Sequence, residues 1–154
     1  ETVEKYVPYV IEPTMGIDRA MLALLLDAYE EIEGARTTTT EAAKEAEVVL
    51  KLSPLVAPVQ VAVFPLMKNK PELVKKAREI YEILQQDFVC QYDEVGAIGR
   101  RYRRQDEIGT PCCITIDFDS LEKGDVTLRN RDSMGQKRVA TNKLAESIKS
   151  ELYG

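Results

Sequence analysis

In the second part of the chain, short β-branched runs alternate with longer segments of helical periodicity, and this alternation limits the possible folds. Residues 59–64 and 112–118 have the length and composition of strands, and Ile114 and Ile116 alternate with polar neighbours. Residues 71–84 instead repeat apolar side chains every three or four positions, behind a proline that suits the first turn of a helix. The pattern predicts strands connected by helices.

The remaining segments extend this order to an α/β domain. Further strands are predicted at 88–92, 126–130 and 137–140, and further helices at 98–108 and 143–152. The resulting order β-α-β-α-β-β-β-α predicts a mixed sheet of about five strands flanked by helices.

The first part of the chain has a different pattern. The predicted elements are a strand at 6–13, a helix at 17–32 that ends at Gly34, and a polar connection at 35–51 that includes a candidate helix at 40–47. Ser53 and the proline after it predict a domain boundary. The sequence is therefore divided into residues 1–52 and 53–154.

Composition restricts the chemistry and the partners. The chain has no histidine, and its three cysteines form no CxxC pair, so histidine-based triads and the usual transition-metal sites lack ligands. Unpaired cysteines favour a reducing, cytoplasmic location, and the apolar runs are too short to span a membrane. A formal charge of -5 gives no general attraction to a polyanion, so nucleic-acid binding would require a local basic patch.

Residues 12–19 carry the first group that points to a ligand. A predicted strand leads through Gly16 into a helix whose first turn holds Arg19. Such a junction lets the backbone approach a ligand, and the arginine can pair with a phosphate or stack on a purine. The same residues also fit a plain turn followed by a solvated helix, and spacing alone does not separate the two interpretations.

Residues 96–111 concentrate positive charge within this acidic chain. Four arginines and Tyr102 fill positions 100–104. On a helix, Arg100, Arg103 and Arg104 share one side, with acidic residues one turn later. Guanidinium groups suit phosphates and base edges, and the tyrosine can stack on an unpaired base. A salt-bridged, solvated helix is the alternative.

Arg129 and Arg131 predict a second basic surface. They are two positions apart next to a predicted strand, so their side chains point to the same face of the sheet.

Several stretches resemble the glycyl members of the class II aminoacyl-tRNA synthetases. Ile11-Glu-Pro-Thr-Met-Gly-Ile-Asp-Arg19 is similar to the third signature motif of that class, in which an Ile-Glu-Pro-Ser element precedes a glycine and an arginine. Ile98-Gly-Arg-Arg-Tyr-Arg-Arg-Gln-Asp-Glu-Ile-Gly-Thr-Pro111 and Thr127-Leu-Arg-Asn-Arg-Asp-Ser-Met134 resemble the anticodon-binding domain of the dimeric, archaeal and eukaryotic-type glycyl enzymes. The resemblance follows the family's order along nearly the whole chain.

The resemblance implies ligand contacts for four residues of the first part. Arg19 and Gly16 would bind ATP, which enters the complete enzyme with Mg2+. Glu12 would face the ammonium group of glycine, and Thr14, where the family has serine, would bond the same substrate. An enzyme of this kind activates glycine with ATP to glycyl-adenylate and transfers it to tRNA(Gly).

The resemblance also implies that residues 53–154 form the anticodon-binding domain and residues 1–52 a remnant of the catalytic domain. The implied tRNA contacts are Arg129, Arg131, Arg103, Arg104 and Asp117. The two other motifs of the class, one of which forms the homodimer, are expected before the first residue. We therefore expect that the chain by itself neither activates glycine nor charges tRNA.

Two alternatives stay open at this point. A protein without catalytic activity could use the same fold for RNA binding or subunit contact, although Glu12 and Arg19 would then have no purpose. The threonyl or prolyl branch of the class shares the domain, but should not share Ile-Glu-Pro followed by a small hydroxyl residue.

Overall fold

The computed structural model of the chain describes residues 5–33 and 46–154. In chain order, the elements are α1 (Ile17–Ala28), β1 (Tyr29–Ile32), β2 (Glu47–Leu50), β3 (Val61–Pro65), α2 (Pro71–Leu84), β4 (Cys90–Tyr92), α3 (Ile98–Ile108), β5 (Cys112–Ile116), α4 (Phe118–Lys123), β6 (Asp125–Asn130), β7 (Gln136–Ala140), a 3-10 turn (Thr141–Lys143) and α5 (Leu144–Tyr153).

Strands β3 to β7 form one mixed sheet in the order β4-β3-β5-β6-β7. β3 is parallel to β4 and to β5, whereas β5 with β6 and β6 with β7 are antiparallel. The predicted α/β fold, with a mixed sheet of five strands flanked by helices, is confirmed.

Helices α2 and α5 cover one face of this sheet. Val63 of β3 and Ile114 of β5 are fully buried there, against Leu73 of α2 and Ile148 of α5. The central strands are covered on both faces, which explains why their sequences are nearly continuous apolar runs.

Helix α3 covers the other face over β3 and β5. Phe64 and Tyr102 meet there edge to face, with ring centroids 5.5 Å apart, beside Cys113. The bounds of α3 are those predicted, and Gly109 ends the helix in the left-handed conformation (φ 82°). In contrast to α2, this helix turns charged side chains, among them Asp106, into the protein.

The helix predicted at 17–32 is shorter in the structure, because its last four predicted residues form a strand. α1 ends at Ala28, and Tyr29–Ile32 pairs with Glu47–Leu50 in an antiparallel ribbon, which we call the β1–β2 ribbon. The spacing of Ala28 and Ile32 suits a helix, but pairing with a distant segment overrides this local preference. Most of the predicted connection at 35–51, including the candidate helix at 40–47 up to residue 45, lies outside the described residues.

The predicted strand at 6–13 is not seen, since residues 5–16 have neither helix nor strand and are exposed. A strand requires a hydrogen-bonded neighbour, and the described residues provide none for this segment.

The β1–β2 ribbon packs against the outer side of α3. Val49 and Leu52 are buried at this contact, and Arg103 donates a hydrogen bond to the carbonyl oxygen of Ala46 (3.4 Å). A domain boundary at residue 53 remains a prediction, because the chain on both sides of it contacts α3.

Candidate nucleic-acid interface

A buried ion pair attaches α3 to the sheet. Arg129 on β6 donates two hydrogen bonds to the carboxylate of Asp106, at 2.9 and 2.8 Å, and its guanidinium lies 4.7 Å from the ring centre of Tyr102. Both side chains of the pair are 2% exposed. Burial lowers the pKa of Arg129, but the bonds with Asp106 outweigh it and the pKa is raised. The arrangement holds a charged guanidinium inside the domain.

The expected basic surface at Arg129 and Arg131 is therefore corrected. Alternation along the strand did place both on the α3 side of the sheet, but α3 covers them and leaves them 1% and 2% exposed. Tyr102, expected to stack on a base, is buried as well and bonds the hydroxyl of Thr115. Direct contact of these three side chains with RNA would require α3 to move.

Arg131 joins three segments of the chain. One guanidinium nitrogen donates to the carbonyl oxygens of Leu52 (3.0 Å) and Gly109 (2.8 Å), and the other two bond the carboxylate of Asp132. Its planar fork thereby connects the segment after β2, the end of α3 and the end of β6.

The other predicted arginines lie on the outer side of α3. Arg103 pairs with Glu107 at 3.4 Å, as the i,i+4 spacing predicted. Arg104 is 43% exposed and pairs with Asp93, and it also donates to the carbonyl oxygen of Val95 (2.7 Å). Both are partly accessible, and both are held by acceptors within the domain.

Asp117 belongs to a partly exposed polar cluster that the sequence did not predict in full. The guanidinium of Arg138 on β7 donates to Asp117, to Asp125 and to the hydroxyl of Thr127 (3.1 Å). Burial would raise the pKa of Asp117, but hydrogen bonds from Arg138 and Ser120 outweigh it and lower the pKa. The same carboxylates raise the pKa of Arg138. The cluster thus presents fixed donors and acceptors at the surface.

Exposed cations flank this cluster at the same end of the sheet. Lys68 and Lys70 follow the carboxyl end of β3, and Arg100 lies in the first turn of α3, which Arg101 fixes there through a bond to the Pro65 carbonyl. Among the described residues, the side chains of these two lysines and of Arg100 make no hydrogen bond or ion pair. We call the surface formed by Lys68, Lys70, Arg100, Asp117 and Arg138 the carboxyl edge.

The carboxyl edge extends across three strand spacings of the sheet. β3 and β7 are three strand spacings apart, or about 14 Å. The ends of parallel strands, where neighbouring loops diverge, are the usual ligand sites of α/β sheets.

Asp117 also explains why β5 is shorter than predicted. The predicted strand at 112–118 ends at Ile116, because the Asp117 carboxylate accepts the backbone N–H of Ser120 (2.9 Å) while the Ser120 hydroxyl accepts that of Asp117 (3.1 Å). This capping box starts α4.

We expect Asp117→Asn to destabilise the chain near neutral pH, but not in acid. The carboxylate has a lowered pKa in the fold, so its contribution is fully present above the unfolded pKa and is lost as the pH falls through the lower pKa of the folded state. Asparagine remains a good N-cap, so the ion pair with Arg138 is the main loss. Urea unfolding at several pH values measures this.

The matched control for this prediction is Asp119→Asn. Asp119 is 59% exposed and pairs with Lys123 on the surface of α4. A destabilisation by Asp117→Asn that persists unchanged at about pH 2 would contradict the assigned role of the carboxylate.

The four residues predicted to bind ATP and glycine lie in the exposed first segment. Glu12, Thr14 and Arg19 make no side-chain hydrogen bond or ion pair with the described residues, and Gly16 precedes α1 with an ordinary φ of -91°. The four residues are close to one another in the sequence. Among the described residues, no side-chain contact connects them to the carboxyl edge. Their predicted roles stay predictions.

The described residues contain neither a metal-binding cluster nor a membrane-spanning helix. No group of three or more cysteine, aspartate or glutamate side chains in 5–33 and 46–154 could hold a metal ion. No helix in those residues is long and apolar enough to cross a membrane.

The cysteines of the described residues are free, and burial raises the pKa of Cys90 to about 11 and of Cys112 to about 12.

The fold is that of the α/β domains that bind ligands at the carboxyl ends of parallel strands, and exposed cations lie at those ends here. Residues 60–151 match the family described as "Anticodon binding domain", and the chain therefore belongs to that family.

The chain is also similar to curated glycine–tRNA ligases. It is 49% identical over 154 residues to that of Streptomyces coelicolor, 48% over 154 residues to that of Thermobifida fusca, and 50% over 152 residues to that of Bifidobacterium longum. These matches cover 98–100% of the chain but 30–33% of the relatives, so the chain spans about a third of their length. The predicted resemblance to the glycyl enzymes is confirmed.

Proposed function

We propose that the chain binds the anticodon arm of a tRNA at the carboxyl edge, as part of a glycine–tRNA ligase. One observation carries the site: Arg138 and its two carboxylates form a partly exposed cluster, flanked by cations that have no partner among the described residues. Membership of the anticodon binding domain family supports RNA as the ligand.

The two parts of the carboxyl edge suit different parts of an RNA. Lys68, Lys70 and Arg100 are free to meet phosphates, which give affinity without sequence preference. Asp117 and Arg138 hold each other in fixed orientation, and a carboxylate beside a guanidinium offers the acceptors and donors that read base edges. A chain with a formal charge of -5 would in this way bind a polyanion locally.

The first segment would contribute to the catalytic site of the same enzyme. In this proposal Arg19 and Gly16 contact ATP, which acts with Mg2+, and Glu12 and Thr14 contact glycine. Arg19 suits an anion because its guanidinium is exposed, without a described partner, in the first turn of a helix. When bound, ATP would supply the adenylyl group that activates the glycine carboxylate, with pyrophosphate as the leaving group, and these side chains would bind and orient the substrates.

Glycine-dependent exchange of pyrophosphate into ATP tests the enzyme assignment. The full-length enzyme should catalyse this exchange with glycine and not with threonine or proline. If it does not, the alternative of a non-catalytic RNA-binding or subunit-contact protein is favoured. A homodimer of the complete enzyme and a cytoplasmic location belong to the same proposal.

Arg138→Ala tests the RNA site. We expect it to weaken binding of the tRNA(Gly) anticodon stem-loop by about 1–3 kcal/mol, or roughly 5- to 150-fold, because it removes a base-reading guanidinium and releases its two carboxylates. Fluorescence anisotropy with a labelled stem-loop measures the dissociation constant at one fixed salt concentration.

Lys149→Ala is the control for this experiment. It also removes one positive charge, but Lys149 lies on α5, where it pairs with Asp87 on the opposite face of the sheet. Unfolding curves of both variants separate lost binding from lost fold. Equal weakening by the two variants would contradict a site at the carboxyl edge.

A further inference from the structure

The β1–β2 ribbon is attached to the anticodon-binding domain outside the hydrophobic core. Both clusters of buried apolar residues in the domain begin at residue 61 or later, so the ribbon contributes to neither. Its contact surface is instead the outer side and the end of α3, with Val49 and Leu52 buried there. A few specific contacts therefore determine how the ribbon sits.

Gly109 lets the ribbon approach the end of α3 very closely. A Cβ atom at this position would lie 2.9 Å from the Leu52 side chain and 3.0 Å from the carbonyl oxygen of Leu50. Arg131 closes the same contact, since its Nη1 donates to the carbonyl oxygens of both Leu52 and Gly109. The close backbone approach at Gly109 and the buried guanidinium of Arg131 therefore belong to the same contact.

The ribbon in turn fixes α1. No residue separates the end of α1 at Ala28 from the start of β1 at Tyr29, so the helix continues directly into the paired strand. The backbone N–H of Lys51 donates to the carbonyl oxygen of Ala28 (2.7 Å), and the Lys51 side chain pairs with Glu30. The position of α1, and with it Arg19, follows the position of the ribbon.

On these contacts, and resting on the proposed function, we propose that Arg131 is a positioning residue. It locks the β1–β2 ribbon to the anticodon-binding domain and thereby fixes the separation between the carboxyl edge, where tRNA binds, and α1, whose Arg19 contacts ATP. Only a planar fork can serve the Asp132 carboxylate on one side and two carbonyls on the other, so lysine should not replace it.

Two measurements test the lock and its consequence. In this chain, hydrogen exchange of the ribbon amides should accelerate at least about tenfold in Arg131→Met and in Arg131→Lys, with β3 and β5 unchanged. In the full-length enzyme, kcat for tRNA charging should fall about tenfold, while KM for tRNA and glycine-dependent pyrophosphate exchange stay unchanged. A residue that only stabilised the fold would not separate charging from exchange in this way.

Arg78→Met is the matched control. This substitution also removes a guanidinium, which contacts Glu94 and the ring of Tyr92, but Arg78 does not touch the ribbon. Unchanged hydrogen exchange of the ribbon amides in Arg131→Lys would overturn the proposal that Arg131 holds the ribbon on the domain. If Arg131→Met does not fold, the Arg131→Lys measurement alone decides. A released ribbon with undiminished charging would overturn the positioning role. Absence of glycine-dependent exchange in the wild-type enzyme would refute the proposed function instead, while the hydrogen-exchange result still tests the lock.

Discussion

Replacing Asp106 by leucine is expected to lower the free energy of unfolding by about 3–5 kcal/mol, because it leaves the buried charge of Arg129 without its partner. The Arg129 guanidinium has almost no access to solvent, so water cannot replace both lost hydrogen bonds. A domain of ordinary stability, about 5–15 kcal/mol, would lose a large share of it. Urea unfolding at neutral pH measures the change.

The double variant Asp106→Leu with Arg129→Met distinguishes the cause. Replacing both members of a buried ion pair with apolar side chains is often neutral or stabilising, so most of the loss should be recovered. A double variant as unstable as the single variant would show that the unpaired charge is not the reason. A single-variant loss below about 1 kcal/mol would contradict the burial of the pair.

Gly109→Ala should have the second largest effect on stability. A residue with a Cβ in the left-handed conformation costs about 1–2 kcal/mol, and the contacts with Leu52 and the Leu50 carbonyl add roughly 1–3 kcal/mol of overpacking. The substitution should also push the β1–β2 ribbon away from α3. Thermal or urea unfolding gives the total, and hydrogen exchange locates it.

Gly96→Ala is a close control for this variant. Gly96 has the same φ of 82°, but nothing lies within 4 Å of the Cβ that alanine would add. It should show the backbone cost alone and leave ribbon exchange unchanged. Equal destabilisation by the two substitutions would mean that the contact with the ribbon is not tight.

The parts of the fold that depend on local pattern could be predicted from the sequence. The helix at 98–108 has a glycine stop and the sheet strands have unbroken apolar runs, so both were found. Tyr29–Ile32 was predicted as helix because its strand character depends on a partner 15 or more residues away. Such pairing leaves no mark within the segment itself.

The charged residues show a second limit of sequence analysis. Alternation correctly placed Arg129 on one face of the sheet, but it does not reveal that α3 covers this face. Arg138 was missed because an exposed arginine on an edge strand looks like any solvated residue, and its partners Asp117 and Asp125 are 21 and 13 positions away. The Asp117-x-x-Ser120 spacing is typical of a helix start, but the apolar alternation of the preceding residues favoured a strand through residue 118.

Mapping of amide chemical shifts during titration with the tRNA(Gly) anticodon stem-loop tests the central proposal most directly. We expect the shifts to cluster at the carboxyl edge, around Lys68, Arg100 and Arg138, and to weaken with a stem-loop of unrelated anticodon. The opposite face, formed by α2 and α5, should remain unaffected. Shifts confined to that face, or equal shifts with either RNA, would contradict anticodon binding at the carboxyl edge.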